Sequence, residues 1–260
     1  MDPVLAKPTS ACCLTDGSSY QSNDPESKLQ QLGGIETYVS QPVAPNANGN
    51  ILLFFPDAFG LCAKNYLLMD RFAALGYLVL GVDYFMGDSV LKHTANPLND
   101  PTFDLKAWSL KHLRASEEIA EKWITEVSSK YGSVEGVKFA CVGYCWGGRF
   151  VCQQLSKNGI CSVGAMAHPS FMNESHVSGV NAPLYIAAPS TDSLFMPEQR
   201  ARALEILSNN EQKFNMQIIS GVSHGFATRS HPDDPYAESA SKAAFKSFTE
   251  WFDFWLSKQD

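Results

Sequence analysis

Three residues whose types complement one another chemically follow in order along the chain. Cys145 can supply a nucleophile, Asp192 a carboxylate and His224 a base. A thiol attacks as the thiolate, so it needs a base within hydrogen-bond reach, and the base needs a third group to orient it. The setting of Cys145 says most. It lies in Gly143-Tyr144-Cys145-Trp146-Gly147-Gly148, between two contrasting segments. Val137 to Val142 is an apolar run that reads as a buried strand, and Gly147 to Leu155 can open a helix. Gly-x-Cys-x-Gly-Gly is the pattern of a nucleophile elbow with sulfur in place of the usual serine oxygen. Small residues let strand and helix approach closely, and a helix N-terminus favours negative charge on the thiol. The alternative is a buried cysteine beside a glycine-rich turn, in a chain that has seven cysteines.

Asp192 comes just after the apolar segment Leu184 to Ala188, and His224 just after Phe214 to Ile219. Both are therefore expected at the carboxyl ends of strands, where catalytic groups of open sheets gather. The competing roles are a cap or turn residue ahead of Pro197 for Asp192, and a plain loop histidine for His224. His93 and His231 fall in polar connections, His112 on a long helix and His176 in a loop. His168 ends a strand in Ala167-His168-Pro169-Ser170 and has two readings: a pocket-lining substrate contact, or a structural histidine.

These residues need elements to position them, and the rest of the chain supplies an alternation. Ile35 to Ser40, Ile51 to Phe55, Tyr77 to Val82, Val137 to Val142, Cys161 to Ala167, Leu184 to Ala188 and Phe214 to Ile219 read as strands. Helices are expected over Asn65 to Leu75, Asp104 to Lys130, Pro197 to Leu207 and Tyr236 to Leu256. The aromatic face of the last one (Phe245, Phe248, Phe252, Trp255) reads as core. Residues 83–103, with Gly87, Pro97 and Pro101 and no period, read as a long connection of the kind that caps pockets. Residues 1–30 read as a loosely attached N-terminal arm, and 31–260 as one α/β domain, a mostly parallel sheet wrapped by helices on both faces.

A hydrophobic share of 45% suffices for a buried core. The net charge of −7 and the lack of any basic stripe argue against a nucleic-acid partner. No run is apolar and long enough to span a bilayer, and no signal peptide is visible, so no membrane partner is expected. No CxxC or Cys/His ligand spacing recurs, so no metal site is expected, and unpaired thiols fit a reducing, cytoplasmic location.

Taken with Phe55-Pro56-Asp57-Ala58-Phe59-Gly60, Thr191-Asp192 and Ser223-His224-Gly225-Phe226, the elbow makes the chain resemble the dienelactone hydrolase family. These are cysteine-dependent members of the α/β-hydrolase superfamily, whose chain order is nucleophile, acid, histidine. The resemblance runs from Gly33 to the C-terminus. It implies an α/β-hydrolase fold with Cys145, Asp192 and His224 as triad and the backbone N–H groups of Ala58 and Trp146 as oxyanion hole. The family places a glutamate near the resting thiol where this chain has Asp57; the shorter side chain either contacts Cys145 or only shapes its loop. The family's lactones carry a carboxylate received by arginines, and Arg229, five positions after His224, is the candidate here. Lys106, Lys111 and Arg114 are further cations near the pocket, each with the competing role of a solvated surface charge; Tyr84, Phe85 and Trp108 are candidate aromatic walls. The arm with Cys12-Cys13 resembles fungal members, which implies secondary-metabolite or aromatic-degradation pathways.

The expected function is hydrolysis of a small lactone or activated ester through an acyl-enzyme. It calls for no metal or organic cofactor, a small substrate, anionic or neutral, and a monomer or homodimer. Two other readings stand beside it: acyl transfer, ring rearrangement or lyase chemistry in biosynthesis with the same triad, and a non-catalytic binding protein on a hydrolase scaffold.

Overall fold

A computed structural model describes residues 2–8, 28–94, 100–229 and 233–257. The expected alternation folds into one eight-stranded sheet. In chain order its strands are β2 (Leu29–Leu32), β3 (Ile35–Ser40), β4 (Ile51–Phe55), β5 (Leu78–Val82), β6 (Phe139–Tyr144), β7 (Val163–Ala167), β9 (Leu184–Thr191) and β10 (Phe214–Ser223). Their spatial order is β10-β9-β7-β6-β4-β5-β3-β2. β4, β5, β6, β7, β9 and β10 pair in parallel, while β2 and β3 close one edge antiparallel. Parallel strands are covered on both faces and read as unbroken apolar runs. Ile51–Phe55 and Val163–Ala167 are buried at every position, as that requires.

The helices are α1 (Ala63–Ala74), α2 (Leu105–Tyr131), α3 (Gly148–Gln154), α4 (Glu174–Ser178), α5 (Pro197–Asn209) and α6 (Pro235–Leu256). Asp104 caps α2 by accepting from the Ala107 N–H, and Asp234 caps α6 through the N–H groups of Tyr236 and Ala237. Two apolar clusters lie on the two faces of the sheet. One gathers Leu53, Phe55, Trp123, Trp146 and Phe150; the other gathers Phe54, Phe72, Tyr144, Phe248 and Phe252. The latter confirms the aromatic face of α6 as core.

One expectation changes. Cys12 and Cys13 lie outside the described residues, but the start of the chain is not a loose arm. β1 (Val4–Ala6) pairs antiparallel with the short β8 (Met172–Asn173) as a separate two-stranded sheet. Leu5 and Ala6 are 1% and 0% exposed. A three-residue strand with no long period leaves no signature, and only long-range pairing reveals it. β2 likewise begins inside the stretch assigned to the arm.

Candidate active site

Strand register brings the candidate residues together before any side chain is considered. Phe55 of β4 lies opposite Gly143 of β6, so the loops bearing Asp57-Ala58 and Cys145-Trp146 start side by side. Tyr144 lies opposite Ala167, which sets Cys145 beside His168. Thr191 lies opposite Ser223, which sets Asp192 beside His224. All five loops leave the carboxyl edge of the parallel sheet, where open α/β sheets form their crevice.

Cys145 sits at the bend between β6 and α3 with φ of 50°. That left-handed backbone is costly for a residue with a Cβ and is held here by its surroundings. Gly147 shows how tight the bend is, since an added Cβ would lie 2.1 Å from the Phe55 carbonyl oxygen. The Ser170 N–H donates to the Cys145 carbonyl at 3.0 Å, and Ser170 Oγ lies 3.4 Å from Cys145 Sγ.

His224 and Asp192 form the second half of the site. His224 Nδ1 and Asp192 Oδ2 are 2.9 Å apart, with the two side chains 1% and 0% exposed. Asp192 Oδ1 is held in turn by the Leu194 N–H at 2.8 Å. Burial disfavours the imidazolium, yet the neighbouring Cys145 charge and the Asp192 hydrogen bond outweigh it and push the His224 pKa up to about 10. Burial also works against a charged Asp192, but the hydrogen bond and charge of His224 prevail and hold its carboxyl below the usual range. Nε2 of His224 is buried, and the charge of Cys145 does most to raise the ring's affinity for protons.

His168 belongs to the same cluster. It is fully buried, its ring centroid is 4.8 Å from that of His224, and it has φ of 38°. Burial lowers its pKa, against the upward pull of Cys145. His168 therefore favours its neutral form where His224 favours its charged one. It is as deeply buried as Cys145 and His224 and packs against the His224 ring.

The loops that carry Ala58 and Trp146 are fixed by polar side chains. Asp57 Oδ1 accepts from the Phe59 N–H and from Asn65 Nδ2, both at 3.1 Å. Asp57 Oδ2 accepts from Thr228 Oγ1 at 3.1 Å and lies 3.6 Å from Lys64 Nζ. Asp57 thus ties its own loop to α1 and to the loop that carries His224. Tyr84 supports the loop that carries Ala58. It is fully buried and its hydroxyl donates to the Pro56 carbonyl beneath Ala58. Trp108, 5% exposed, donates from Nε1 to the Asp88 carbonyl at 2.8 Å and packs on Phe85 and Trp146 with centroids 5.0 and 5.4 Å away. It braces the long connection against the elbow.

Arg229 does reach the histidine loop. Its guanidinium lies over Gly225, where an added Cβ would come within 2.5 Å of it. Lys111 pairs with Asp88 at 2.5 Å and Arg114 with Glu118 at 2.8 Å, so both are engaged away from Cys145. Lys106 lines a groove of about 770 Å³ between β1 and the first turns of α2, which none of the three triad candidates lines.

Cys145 is 2% exposed, so the thiol is far less open than an elbow alone leads one to expect. Ser170 and Thr228 are contacts that sequence reasoning passes over. Ser170 follows His168 by two residues, and only the fold shows that this loop wraps the sulfur.

Residues 35–256 match the Dienelactone hydrolase family. The chain is 54% identical over 258 residues to Dienlactone hydrolase 1 of Gibberella moniliformis, covering 99% of this chain and 98% of that protein. It is 51% identical to Dienlactone hydrolase 2 of the same fungus over the full length of both. A crystal structure of a putative dienelactone hydrolase from Klebsiella pneumoniae superposes with a TM-score of 0.68 at 15% identity, over 84% of this chain and 92% of the other, and shares the fold.

Proposed function

The chain belongs to the dienelactone hydrolase family and is a hydrolase of ester bonds, and on that premise we propose that it opens a small lactone or activated ester through a thioester on Cys145. The observation that carries this reading is the buried pair in which Asp192 holds Nδ1 of His224 while the charge of Cys145 raises the ring's affinity for protons.

In the resting site His224 holds the proton and Cys145 the negative charge, the state favoured by the raised affinity of His224 for protons. Sulfur attacks the ester carbonyl carbon, and the carbonyl oxygen takes the negative charge. The N–H groups of Ala58 and Trp146 receive that oxyanion, as the neighbouring loops of β4 and β6 allow. Collapse breaks the C–O bond, and His224 passes its proton to the departing oxygen. Water then attacks the thioester, with His224 taking a proton from it. Loss of the thiolate gives the carboxylic product and restores the ion pair. Asp192 keeps the imidazole in one tautomer throughout.

Arg229, beside the His224 loop, suits an anionic substrate by bidentate contact. The cysteines at 62, 141, 145, 152 and 161 form no disulfide, which supports a reducing, cytoplasmic location. Among the described residues no helix is long and apolar enough to cross a membrane. Turnover of lactones and p-nitrophenyl esters in H₂¹⁸O tests the reaction class. Label in the product carboxylate, abolished by Cys145→Ala, is expected; unlabelled product, or unchanged turnover in that variant, rejects the hydrolytic mechanism.

A further inference from the structure

The strand at the start of the chain lies outside residues 35–256, which the family match covers. It nonetheless touches both loops that flank the proposed nucleophile. The Lys7 N–H donates to the Leu194 carbonyl at 2.7 Å, and the Lys7 carbonyl accepts from the Phe171 N–H at 3.0 Å. One peptide unit further on, each contact reaches the chemistry. The Leu194 N–H holds Asp192 Oδ1 at 2.8 Å. The Ser170 N–H holds the Cys145 carbonyl at 3.0 Å, and its hydroxyl lies 3.4 Å from the sulfur.

The loop from His168 to Phe171 needs outside support. His168 and Phe171 have φ of 38° and 53°, left-handed conformations that residues with a Cβ adopt at a cost. Its continuation is tied down by the same segment. Val4 and Ala6 pair with Asn173 and Met172, the Glu174 N–H donates to the Pro3 carbonyl at 2.8 Å, and Asp2 accepts from the Ser175 N–H at 3.1 Å and from its hydroxyl. Leu5 and Ala6 are buried, so the segment is packed as well as hydrogen-bonded.

We infer that residues 2–7 are a positioning element of the active site, in which the backbone of Lys7 couples the loop holding Asp192 to the loop holding Cys145. The inference rests on the assignment of Cys145, Asp192 and His224 as triad. Without this coupling the loop that carries Asp192 and the His168–Phe171 loop that braces Cys145 shift independently, and small misplacements of reacting groups cost turnover heavily.

The test uses the full chain. Lys7→Pro removes the N–H to Leu194, and Lys7→Ala keeps both backbone hydrogen bonds while losing only the Nζ contact to the Met196 sulfur at 3.6 Å. For Lys7→Pro, kcat is expected to fall about tenfold or more with a smaller change in KM. Its thiolate absorbance in the ultraviolet should appear at higher pH, because a less well-held imidazolium stabilises the thiolate less. Lys7→Ala should match the parent in both. A merely structural role lowers Tm and leaves the thiolate titration of the folded protein where it was. If Lys7→Pro does not fold, Asp2→Ala frees the exposed end of the segment, and a smaller shift in the same two readouts is expected. Unchanged kcat and an unchanged titration midpoint in these variants, with Cys145→Ala inactive, overturn the inference and leave the triad standing. An active Cys145→Ala removes the triad and the inference with it.

Discussion

Two buried histidines, each paired with an aspartate, have different fates. His224 and Asp192 meet at 2.9 Å and His112 and Asp88 at 2.8 Å. Both histidines are buried, yet His224 gains affinity for protons and His112 loses it. Burial works against the charged ring in both. At His112 it prevails, because Asp88 is partly exposed, is shared with Lys111 and His93, and Lys111 and His93 repel a second positive charge. At His224 a sulfur able to carry negative charge stands on the other side of the ring, and Asp192 is sealed from water. A carboxylate therefore orients an imidazole in either place, but only the second negative group raises its affinity for protons. The Asp88 cluster fastens the long connection to α2, and the Asp192 cluster is the one proposed to carry the reaction.

The sharpest way to break this contrast is to remove each ring in turn. His224→Ala should lower kcat by about 10² or more, whereas His112→Gln should leave kcat close to the parent value; equal losses would abolish the distinction. Next comes the source of the raised proton affinity. In Cys145→Ser the hydroxyl carries no charge, so the His224 imidazole should titrate well below about 10 in an NMR pH series. The sign for stability follows. A folded-state pKa above the ordinary 6.5 means that His224 stabilises the fold fully below pH 6.5, and that this contribution fades as pH rises towards about 10. Denaturant midpoints across that window should therefore fall less steeply in Cys145→Ser than in the parent. A smaller effect is expected from Thr228→Val, which cuts the bond joining the His224 loop to Asp57. It should cost about 1 kcal/mol of stability in urea unfolding and lower kcat by less than His224→Ala does. The mildest change is Arg229→Ala, which should raise KM for anionic esters and leave neutral esters alone. An equal effect on both would separate Arg229 from substrate charge.

Much of this was legible in the sequence because it is written in strong local patterns. The fully apolar runs Ile51–Phe55 and Leu184–Ala188 could only be covered strands, and the glycines around Cys145 could only serve a cramped turn. Asp192 and His224 were legible through their place after strands. What escaped depends on pairing across distance. β1 and β8 have three and two residues, too few for any period. Ser170 and Thr228 act through hydroxyls that look like ordinary loop residues until the fold sets them beside Cys145 and Asp57. Tyr84 reads as a wall because it opens a long connection, but the carbonyl it meets comes from Pro56, far away in the chain. The depth of Cys145 is likewise a property of five converging loops rather than of its own motif.

All of this turns on sulfur becoming bonded to the substrate's acyl carbon. Rapid acid quenching of the enzyme during turnover of p-nitrophenyl acetate, followed by peptide mass spectrometry, should find an acetyl group on the peptide containing Cys145 and on no other, absent in Cys145→Ala and accumulating in His224→Ala only slowly. Acetyl on a different residue, or turnover at the same rate in Cys145→Ala, would contradict the account.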